Sequence, residues 1–195
     1  RLQVSQGEKK PQVIMVSSAV PGEGKSTLSS NLASAYSQLG ETLLLDADLR
    51  KSSLGELGNS QGLTDFMLGK ADSKNCFARE KEGNLYVMSR GSREVNPQEF
   101  LSSEAMAEFF AKLRERFDTI IVDTAPVLAV SDAMVLGRHV DGVVLAVKAS
   151  DTPFDVVHDA VRRLRSASIN ILGVTLSQVD LKDLLRDGGY AYGHY

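Results

Sequence analysis

The chain has 195 residues, 43% of them hydrophobic and 24% charged, and its formal net charge is −3. These values are typical of one soluble globular domain, and the slightly acidic balance argues against a nucleic-acid-binding protein. The single cysteine, Cys76, excludes an internal disulfide and predicts a reduced thiol. No apolar run approaches the length of a membrane span, and no signal peptide opens the sequence.

Short apolar runs alternate with helical patterns, which predicts an α/β protein. Residues 13–16 form the first apolar run, and residues 26–39 have the pattern of a helix that is closed by Gly40. Continuous apolar runs such as residues 42–45 are typical of strands covered by helices on both faces. Residues 50–84 are polar and interrupted by glycine, so no helix or strand is assigned there. Further strands are predicted at residues 85–88, 119–122, 143–147 and 171–176, and further helices at residues 99–116 and 153–167.

The Gly-rich segment between the first strand and the first helix is the most specific motif of the chain. Residues 17–27 read SSAVPGEGKST, which matches G-x-x-x-x-G-K-[ST] except that Ala19 replaces the first glycine. A strand, a Gly-rich turn, Lys-Ser and a helix together wrap backbone N–H groups around a triphosphate. Lys25 is predicted to reach the β- and γ-phosphates, and the Ser26 hydroxyl to bind Mg²⁺. The predicted ATP-binding residues are Gly22, Glu23, Gly24, Lys25, Ser26 and Thr27.

A dinucleotide-binding fingerprint is the nearest alternative for this segment. Gly22 and Gly24 fit G-x-G-x-x-G, and Asp46 follows about twenty residues later, as that motif requires. However, the third position of the fingerprint is Thr27, and such a turn has no use for a Lys-Ser pair. The triphosphate interpretation is therefore favoured.

Carboxylates follow two of the predicted strands, at the sheet edge where parallel α/β proteins bind their ligands. Asp46 and Asp48 follow residues 42–45, and Asp123 follows residues 119–122. A single aspartate after a strand is often a turn or helix-cap residue. Three of them beside a phosphate-binding loop predict a metal or catalytic cluster.

With these motifs in place, the chain resembles the bacterial tyrosine kinases, or BY-kinases, which use Walker A, A′ and B motifs. The resemblance rests on residues 19–27, on Asp-x-Asp-x-Arg at residues 46–50 and on Asp-Thr-Ala-Pro at residues 123–126, and it covers most of the chain. The fold expected is a P-loop NTPase, a mostly parallel twisted sheet with helices on both faces. This kinase domain is expected over residues 1–186, followed by the start of a flexible C-terminal tyrosine cluster over residues 187–195.

The resemblance also implies a mechanism. ATP and Mg²⁺ bind the loop, and a tyrosine from the tail of a neighbouring subunit attacks the γ-phosphate. Lys25 is expected to stabilise the transferred group, while Asp48 and Asp123 hold Mg²⁺ together with Ser26. Asp46 is the candidate for orienting or deprotonating the tyrosine hydroxyl, although which of Asp46 and Asp48 does which stays open. The expected phosphate acceptors are Tyr190, Tyr192 and Tyr195.

Members of the family usually have a Glu-x-x-Arg-x-x-Arg helix upstream of the first strand, associated with ring assembly. Residues 1–4 look like the residues that follow this helix. The chain is therefore expected to belong to a longer protein with a transmembrane adaptor, to form homo-oligomers and to be the cytoplasmic domain of an inner-membrane protein. The implied role is control of capsule or exopolysaccharide synthesis and export. A second departure, Ala125 where proline is common, is expected to have little effect.

Three other functions share parts of this pattern. A positioning or partition ATPase has a second lysine where this chain has Val20, and such a switch has no use for a tyrosine tail. A GTP-dependent switch requires Asn-Lys-x-Asp, whereas residues 177–180 read SQVD. A binding module with a degenerate site is disfavoured because the lysine, the serine and the three aspartates are all present. The tyrosine autokinase is favoured, and the ATPase switch is the main alternative.

Overall fold

Parallel strands form the centre of the molecule. The computed structural model describes residues 10–51, 54, 58–80, 83–92 and 94–180. The strands are β1 (Val13–Ser18), β2 (Thr42–Asp46), β3 (Phe77–Arg79), β4 (Leu85–Met88), β5 (Thr119–Asp123), β6 (Gly142–Lys148) and β7 (Ile171–Ser177). They form one seven-stranded sheet in the order β3-β4-β2-β5-β1-β6-β7, in which β3 and β4 pair antiparallel and the other pairs are parallel. The predicted α/β class with a mostly parallel sheet is confirmed.

Helices cover both faces of this sheet. They are α1 (Lys25–Ser37), α2 (Leu63–Met67), α3 (Ser73–Cys76), α4 (Pro97–Leu101), α5 (Glu104–Arg116), α6 (Asp132–Leu136) and α7 (Phe154–Ser166). The apolar residues of α1 pack on one face, while those of α5, α6 and α7 pack on the other. Within the described ranges, no helix is long and apolar enough to cross a membrane.

Side chains that alternate along the central strands divide the core in two. In β1, Val13 and Met15 belong to the cluster that contains α5, α6 and α7, whereas Ile14 and Val16 belong to the cluster that contains α1. The same alternation is found in β2, β5 and β6. Each apolar side chain buried in this way contributes about 1.5–3 kcal/mol to folding. Because both faces are covered, apolar residues occupy consecutive positions, which explains the continuous apolar runs in the sequence.

The helix predicted over residues 99–116 is wrong as a single element. The structure has two helices, α4 and α5, separated at Ser102 and Ser103. The hydroxyl of Ser103 accepts the backbone N–H of Met106 at 3.3 Å and so caps α5. The apolar periodicity continues across this break, and for that reason the sequence pattern did not reveal it.

The end of α1 also differs from the prediction. The helix ends at Ser37 rather than Leu39, so Gly40 is not its cap. A side chain at Gly40 would require the exposed side chain of Asp118 to move. By contrast, the prediction for residues 153–167 is confirmed, since Pro153 immediately precedes α7. The short elements α2, α3 and β3 lie in the region to which the sequence assigned nothing.

The predicted tyrosine cluster lies outside the described residues. This applies to Tyr190, Tyr192 and Tyr195, to the domain boundary at residues 186–187, and to residues 1–4. Cys76, the lone cysteine, is buried and free.

An ion pair outside the candidate site joins α5 to the start of β1 and β6. Arg114 donates to both carboxylate oxygens of Asp141, at 2.8 and 3.0 Å. The same carboxylate accepts the backbone N–H groups of Gln12 and Val13, at 2.7 and 2.8 Å. Burial opposes ionisation of Asp141, but these four donors outweigh it, and the pKa of Asp141 is lowered below its ordinary value.

We predict that Asp141→Asn destabilises the protein by about 1–2 kcal/mol at neutral pH, because it removes charge-assisted hydrogen bonds. A lowered pKa in the folded state stabilises the protein above the pKa of the unfolded chain, and this contribution is lost as the pH falls through the folded value. The difference from the wild type should therefore shrink below about pH 4. Urea unfolding at several pH values measures it. Asp159→Asn is the matched control, because its pair with Arg162 is exposed; an Asp141→Asn effect that is no larger, or that is independent of pH, contradicts the prediction.

Candidate active site

The carboxyl ends of three adjacent strands bring the predicted site residues together. β5 lies between β2 and β1, so Asp123 stands beside Asp46 on one side and beside Val16 on the other. The Gly-rich loop leaves β1 at this edge, and Asp48 follows β2 there. The strand-end rule used on the sequence therefore predicted the location of the cluster correctly.

Two glycines give the loop its shape. Gly22 and Gly24 have φ angles of 88° and 78°, in the left-handed region that favours glycine. α1 begins at Lys25, directly after the second of these residues. The positive end of the helix dipole and the unpaired N–H groups of its first turn therefore face the loop, as an anion-binding site requires.

Lys25 is the centre of a compact charged cluster. Its Nζ atom lies 3.1 Å from Asp48 Oδ2 and 3.4 Å from Asp123 Oδ2. Ser26 donates to the same Asp123 oxygen at 2.7 Å, and Ser29 donates to the other oxygen at 3.0 Å. One cation and two hydroxyl groups thus compensate two carboxylates that are almost completely buried.

The surroundings of Asp123 act on its ionisation in opposite directions. Burial raises its pKa, and this effect is larger than the lowering by Lys25 and by the Ser26 and Ser29 hydroxyls, so the pKa lies above its ordinary value. A bound cation that replaced or joined Lys25 would favour the ionised form further. The ionisation of Asp123 therefore depends on which cation lies beside it.

The two aspartates that follow β2 have different positions. Asp48 lines the cavity, and its Oδ1 accepts the backbone N–H groups of Arg50 and Lys51 at 3.3 and 3.0 Å. Asp46 has no exposed surface, and its Oδ1 accepts the backbone N–H of Asp48 at 3.2 Å. Asp48 therefore faces the space where a ligand can bind, and Asp46 supports the turn beneath it.

Lys25, Ser26 and Asp48 of this cluster line a cavity of about 440 Å³, whereas Asp123 lies behind them with no exposed surface. All the predicted ATP-binding residues line this cavity except Glu23, whose side chain is buried and points away from it. The opposite wall is formed by the segment after β5 and by the residue after β7. The lining residues are Pro21, Gly22, Gly24, Lys25, Ser26, Thr27, Asp48, Arg50, Lys51, Ala125, Pro126, Ala129, Val130 and Gln178.

Sequence reasoning missed two contacts that hold the walls of this cavity. Arg50 forms a two-pronged ion pair with the fully buried Asp132, at 2.9 and 3.1 Å. Arg163 of α7 donates to the backbone oxygens of Val127 and Leu128 at 3.0 and 3.4 Å. Arg50 was visible in the Asp-x-Asp-x-Arg motif, but no signal in the sequence identified its partner.

The donor atoms fit a magnesium ion rather than a caged metal. Among the described residues, no group of three or more His, Cys, Asp or Glu side chains can hold a metal ion. The cluster instead provides the Ser26 hydroxyl and the carboxylates of Asp48 and Asp123. Mg²⁺ prefers oxygen ligands and binds through one or two carboxylates plus phosphates and water.

Comparisons with known proteins identify the family to which the chain belongs. The AAA domain family matches residues 11–167, so the chain is a member of that family. The tyrosine-protein kinase YwqD of Bacillus subtilis is 35% identical over 189 residues, which are 95% of this chain and 78% of the relative. The chain belongs to the bacterial tyrosine kinases. The VpsO kinase domain is 37% identical and superimposes with a TM-score of 0.83, over 87% of this chain and 86% of that one.

Other relatives of this BY-kinase are much longer. A chain assigned as a tyrosine-protein kinase in the cps region of Klebsiella pneumoniae is 35% identical over 88% of this chain, which spans 24% of that relative. A more distant structure, the septum site-determining protein MinD of Pyrococcus horikoshii, has 21% identity and a TM-score of 0.69, over 85% of this chain and 69% of that one. At this identity the likeness shows the shared P-loop NTPase fold alone.

We predict that Arg50→Ala destabilises the kinase domain by about 1–3 kcal/mol, because it leaves the carboxylate of Asp132 buried without its cation. Arg50→Lys should restore only part of the loss, since lysine cannot form the two-pronged pair. Chemical unfolding measures both. Arg162→Ala, which removes an exposed arginine, is the control.

The double variant Arg50→Ala/Asp132→Ala separates the ion pair from other effects of the substitutions. It should lose less stability than the sum of the two single variants. Additive losses would show that the two side chains do not interact.

Proposed function

We propose that this domain transfers the γ-phosphoryl group of ATP to tyrosines in the C-terminal tail of a neighbouring copy of the same chain. The observation that carries the proposal is the cluster formed by Lys25, Ser26, Asp48 and Asp123 at the mouth of the Gly-rich loop. Family membership supports the reaction type, and the tyrosine-rich end of the sequence supplies an acceptor.

The loop supports binding of ATP as the substrate. The N–H groups at the start of α1 and the Nζ atom of Lys25 are donors suited to phosphate oxygens. Phosphoryl transfer requires positioning and compensation of negative charge rather than much covalent chemistry. Lys25 Nζ contacts carboxylate oxygens of Asp48 and Asp123, and the same ammonium group can contact phosphate oxygens of a bound ATP.

Mg²⁺ is proposed to be held by Ser26, Asp48 and Asp123. When bound, the ion neutralises charge on the phosphates and helps to orient them. The protein's contribution is to keep an all-oxygen set of ligands together. Ser29 supports it by donating to Asp123 Oδ1 at 3.0 Å, which leaves Oδ2 on the side of Ser26 and Lys25.

One aspartate is expected to orient or deprotonate the tyrosine hydroxyl. The sequence favoured Asp46, and this stays a prediction. Asp48 lines the cavity, whereas Asp46 is fully buried and accepts the Asp48 N–H. We therefore propose Asp48 as the carboxylate that faces the reactants, with Asp46 as the residue that positions it.

The path of the chain supports tail tyrosines as acceptors. Ser177 and Gln178, at the end of β7, donate to the backbone oxygens of Glu23 and Gly22 at 2.7 and 2.8 Å. Gln178, close to the end of the described residues, therefore lies at the rim of the nucleotide cavity. We propose that Tyr190, Tyr192 and Tyr195 are phosphorylated, with residues 187–195 acting as the substrate arm.

The assembly and cellular role extend this proposal. We propose homo-oligomers that require the upstream segment, a transmembrane adaptor in the parent protein, and a position on the cytoplasmic side of the inner membrane. The greater length of the Klebsiella relative supports additional segments. Its location in a cps region supports a role in capsule or exopolysaccharide synthesis and export. The acidic net charge of −3 is unfavourable for a nucleic-acid partner.

Incubation with labelled ATP and Mg²⁺ tests the reaction. We predict label on the tail tyrosines, mapped by mass spectrometry, and a loss of roughly 100-fold or more in Lys25→Met, since that variant lacks a charged donor to the transferred group. Lys112→Met, which changes an exposed lysine of α5, is the control. The domain should be assayed with its upstream segment. Label confined to residues other than the tail tyrosines contradicts the proposal.

A mixing experiment distinguishes transfer between copies from transfer within one copy. The Lys25→Met chain keeps its tyrosines, while the second chain keeps Lys25 but has Tyr190, Tyr192 and Tyr195 changed to phenylalanine. Phosphate should appear on the Lys25→Met chain. If neither chain is labelled while the wild type is, the transfer occurs within a single copy.

Substitution of the carboxylates tests the metal site. Asp123→Asn should weaken Mg²⁺-dependent nucleotide binding by about 10–100-fold, as measured by calorimetry with and without the metal. Asp118→Asn changes the residue before the opposite end of β5 and should have no such effect. Equal affinity with and without Mg²⁺ in the wild type would show that the carboxylates do not serve a metal.

An ATPase switch of the same fold is the second candidate function. The likeness to MinD supports it at the level of the fold alone. It predicts ATP-dependent dimerisation and ATP hydrolysis without phosphotyrosine. Val20, rather than a second lysine, occupies the position that such a switch uses to reach its partner. Analytical ultracentrifugation alongside the labelling assay separates the two.

A further inference from the structure

Glu23 lies within the Gly-rich loop but faces away from the nucleotide cavity. Its side chain is buried, with 1% of its surface exposed. One carboxylate oxygen accepts the backbone N–H of Val20 at 2.8 Å. The other accepts the backbone N–H of Lys148 at 3.3 Å and the hydroxyl of Thr152. The Glu23 carboxylate thus links Val20, at the start of the Gly-rich loop, to the turn between β6 and α7.

The neighbours of Glu23 explain why such an anchor is needed. Gly22 and Gly24 flank it with positive φ angles, and glycine permits many other backbone conformations. A loop with glycine on both sides therefore loses much entropy when it adopts one shape. The three donors to the buried Glu23 carboxylate restrict this segment through its side chain. Ser177 and Gln178 restrict it through its backbone, because they donate to the backbone oxygens of Glu23 and Gly22.

The turn that receives Glu23 is itself fixed. The backbone N–H of Thr152 donates to the oxygen of Lys148 at 3.2 Å, and Lys148 Nζ lies 2.9 Å from Asp151. Thr152 is followed by Pro153 and the start of α7. The hydroxyl of Thr152 therefore belongs to a hydrogen-bonded turn that leads into α7, and it can hold the loop against this turn.

We propose that Glu23 and Thr152 form a positioning pair that keeps the Gly-rich loop in its phosphate-binding conformation. This inference rests on the proposed binding of ATP. Neither Glu23 nor Thr152 lines the nucleotide cavity. The pair acts by raising the fraction of molecules in which the loop N–H groups converge, and the apparent dissociation constant rises as this fraction falls.

Substitutions of Thr152 test the pair with little change in volume. Thr152→Val removes the hydroxyl, and we predict that it raises the dissociation constant for Mg²⁺·ADP by about 10–100-fold, the size expected for loss of a hydrogen bond to a charged group. Thr152→Ser keeps the hydroxyl and should restore binding. Ser166→Ala removes a hydroxyl elsewhere on α7 and is the control. Glu23→Gln should weaken binding similarly, because an amide cannot accept all three hydrogen bonds.

The effect should appear in KM rather than in kcat for labelling, since the reacting groups are unchanged once ATP is bound. A purely structural pair would lower the melting temperature and leave the dissociation constant of the folded protein unchanged. That result, or equal affinity in Thr152→Val and the wild type, overturns the inference while leaving the proposed kinase intact. Failure of the wild type to bind either Mg²⁺·ADP or Mg²⁺·ATP overturns both.

Discussion

The bridge that Lys25 forms between Asp48 and Asp123 is the interaction on which the rest of the site depends. Asp123 is fully buried at the end of β5, and its loss of hydration opposes ionisation. The lysine and the Ser26 and Ser29 hydroxyls compensate only part of this cost, as the raised pKa of Asp123 shows. Such an arrangement is poor as a device for stability. It is well suited to exchanging one cation for another and to holding phosphate beside a metal.

The sheet topology makes this arrangement unavoidable. With β5 between β1 and β2, the loop, the Asp48 turn and Asp123 must meet at one edge. Contacts outside the cluster then fix the surrounding segments. Arg50 with Asp132 holds the turn after β2, Arg163 holds the segment after β5, and Glu23 holds the Gly-rich loop. The same fold can serve other functions, so a functional argument depends on the residues of the site rather than on the architecture.

The sequence predicted the features that are encoded locally. The central strands were found because apolar residues occupy consecutive positions. The three aspartates were noticed because Asp46 and Asp123 end strands and Asp48 lies two residues after one. The break at Ser103 was missed because the apolar spacing continues on either side of it. The partner of Arg50 lies 82 residues away in the chain, and that of Glu23 lies 129 residues away. A single sequence has no signal for such pairs, since they form only when the fold brings two loops together.

A crystal structure of the domain with Mg²⁺ and a non-hydrolysable ATP analogue tests the central claim most directly. The account predicts that Lys25 Nζ exchanges at least one carboxylate for an oxygen of the β- or γ-phosphate. It also predicts that the metal lies beside Ser26, with Asp48 and Asp123 binding it directly or through water. A complex in which Lys25 keeps both ion pairs, while the analogue and the metal bind without these three side chains, would contradict it.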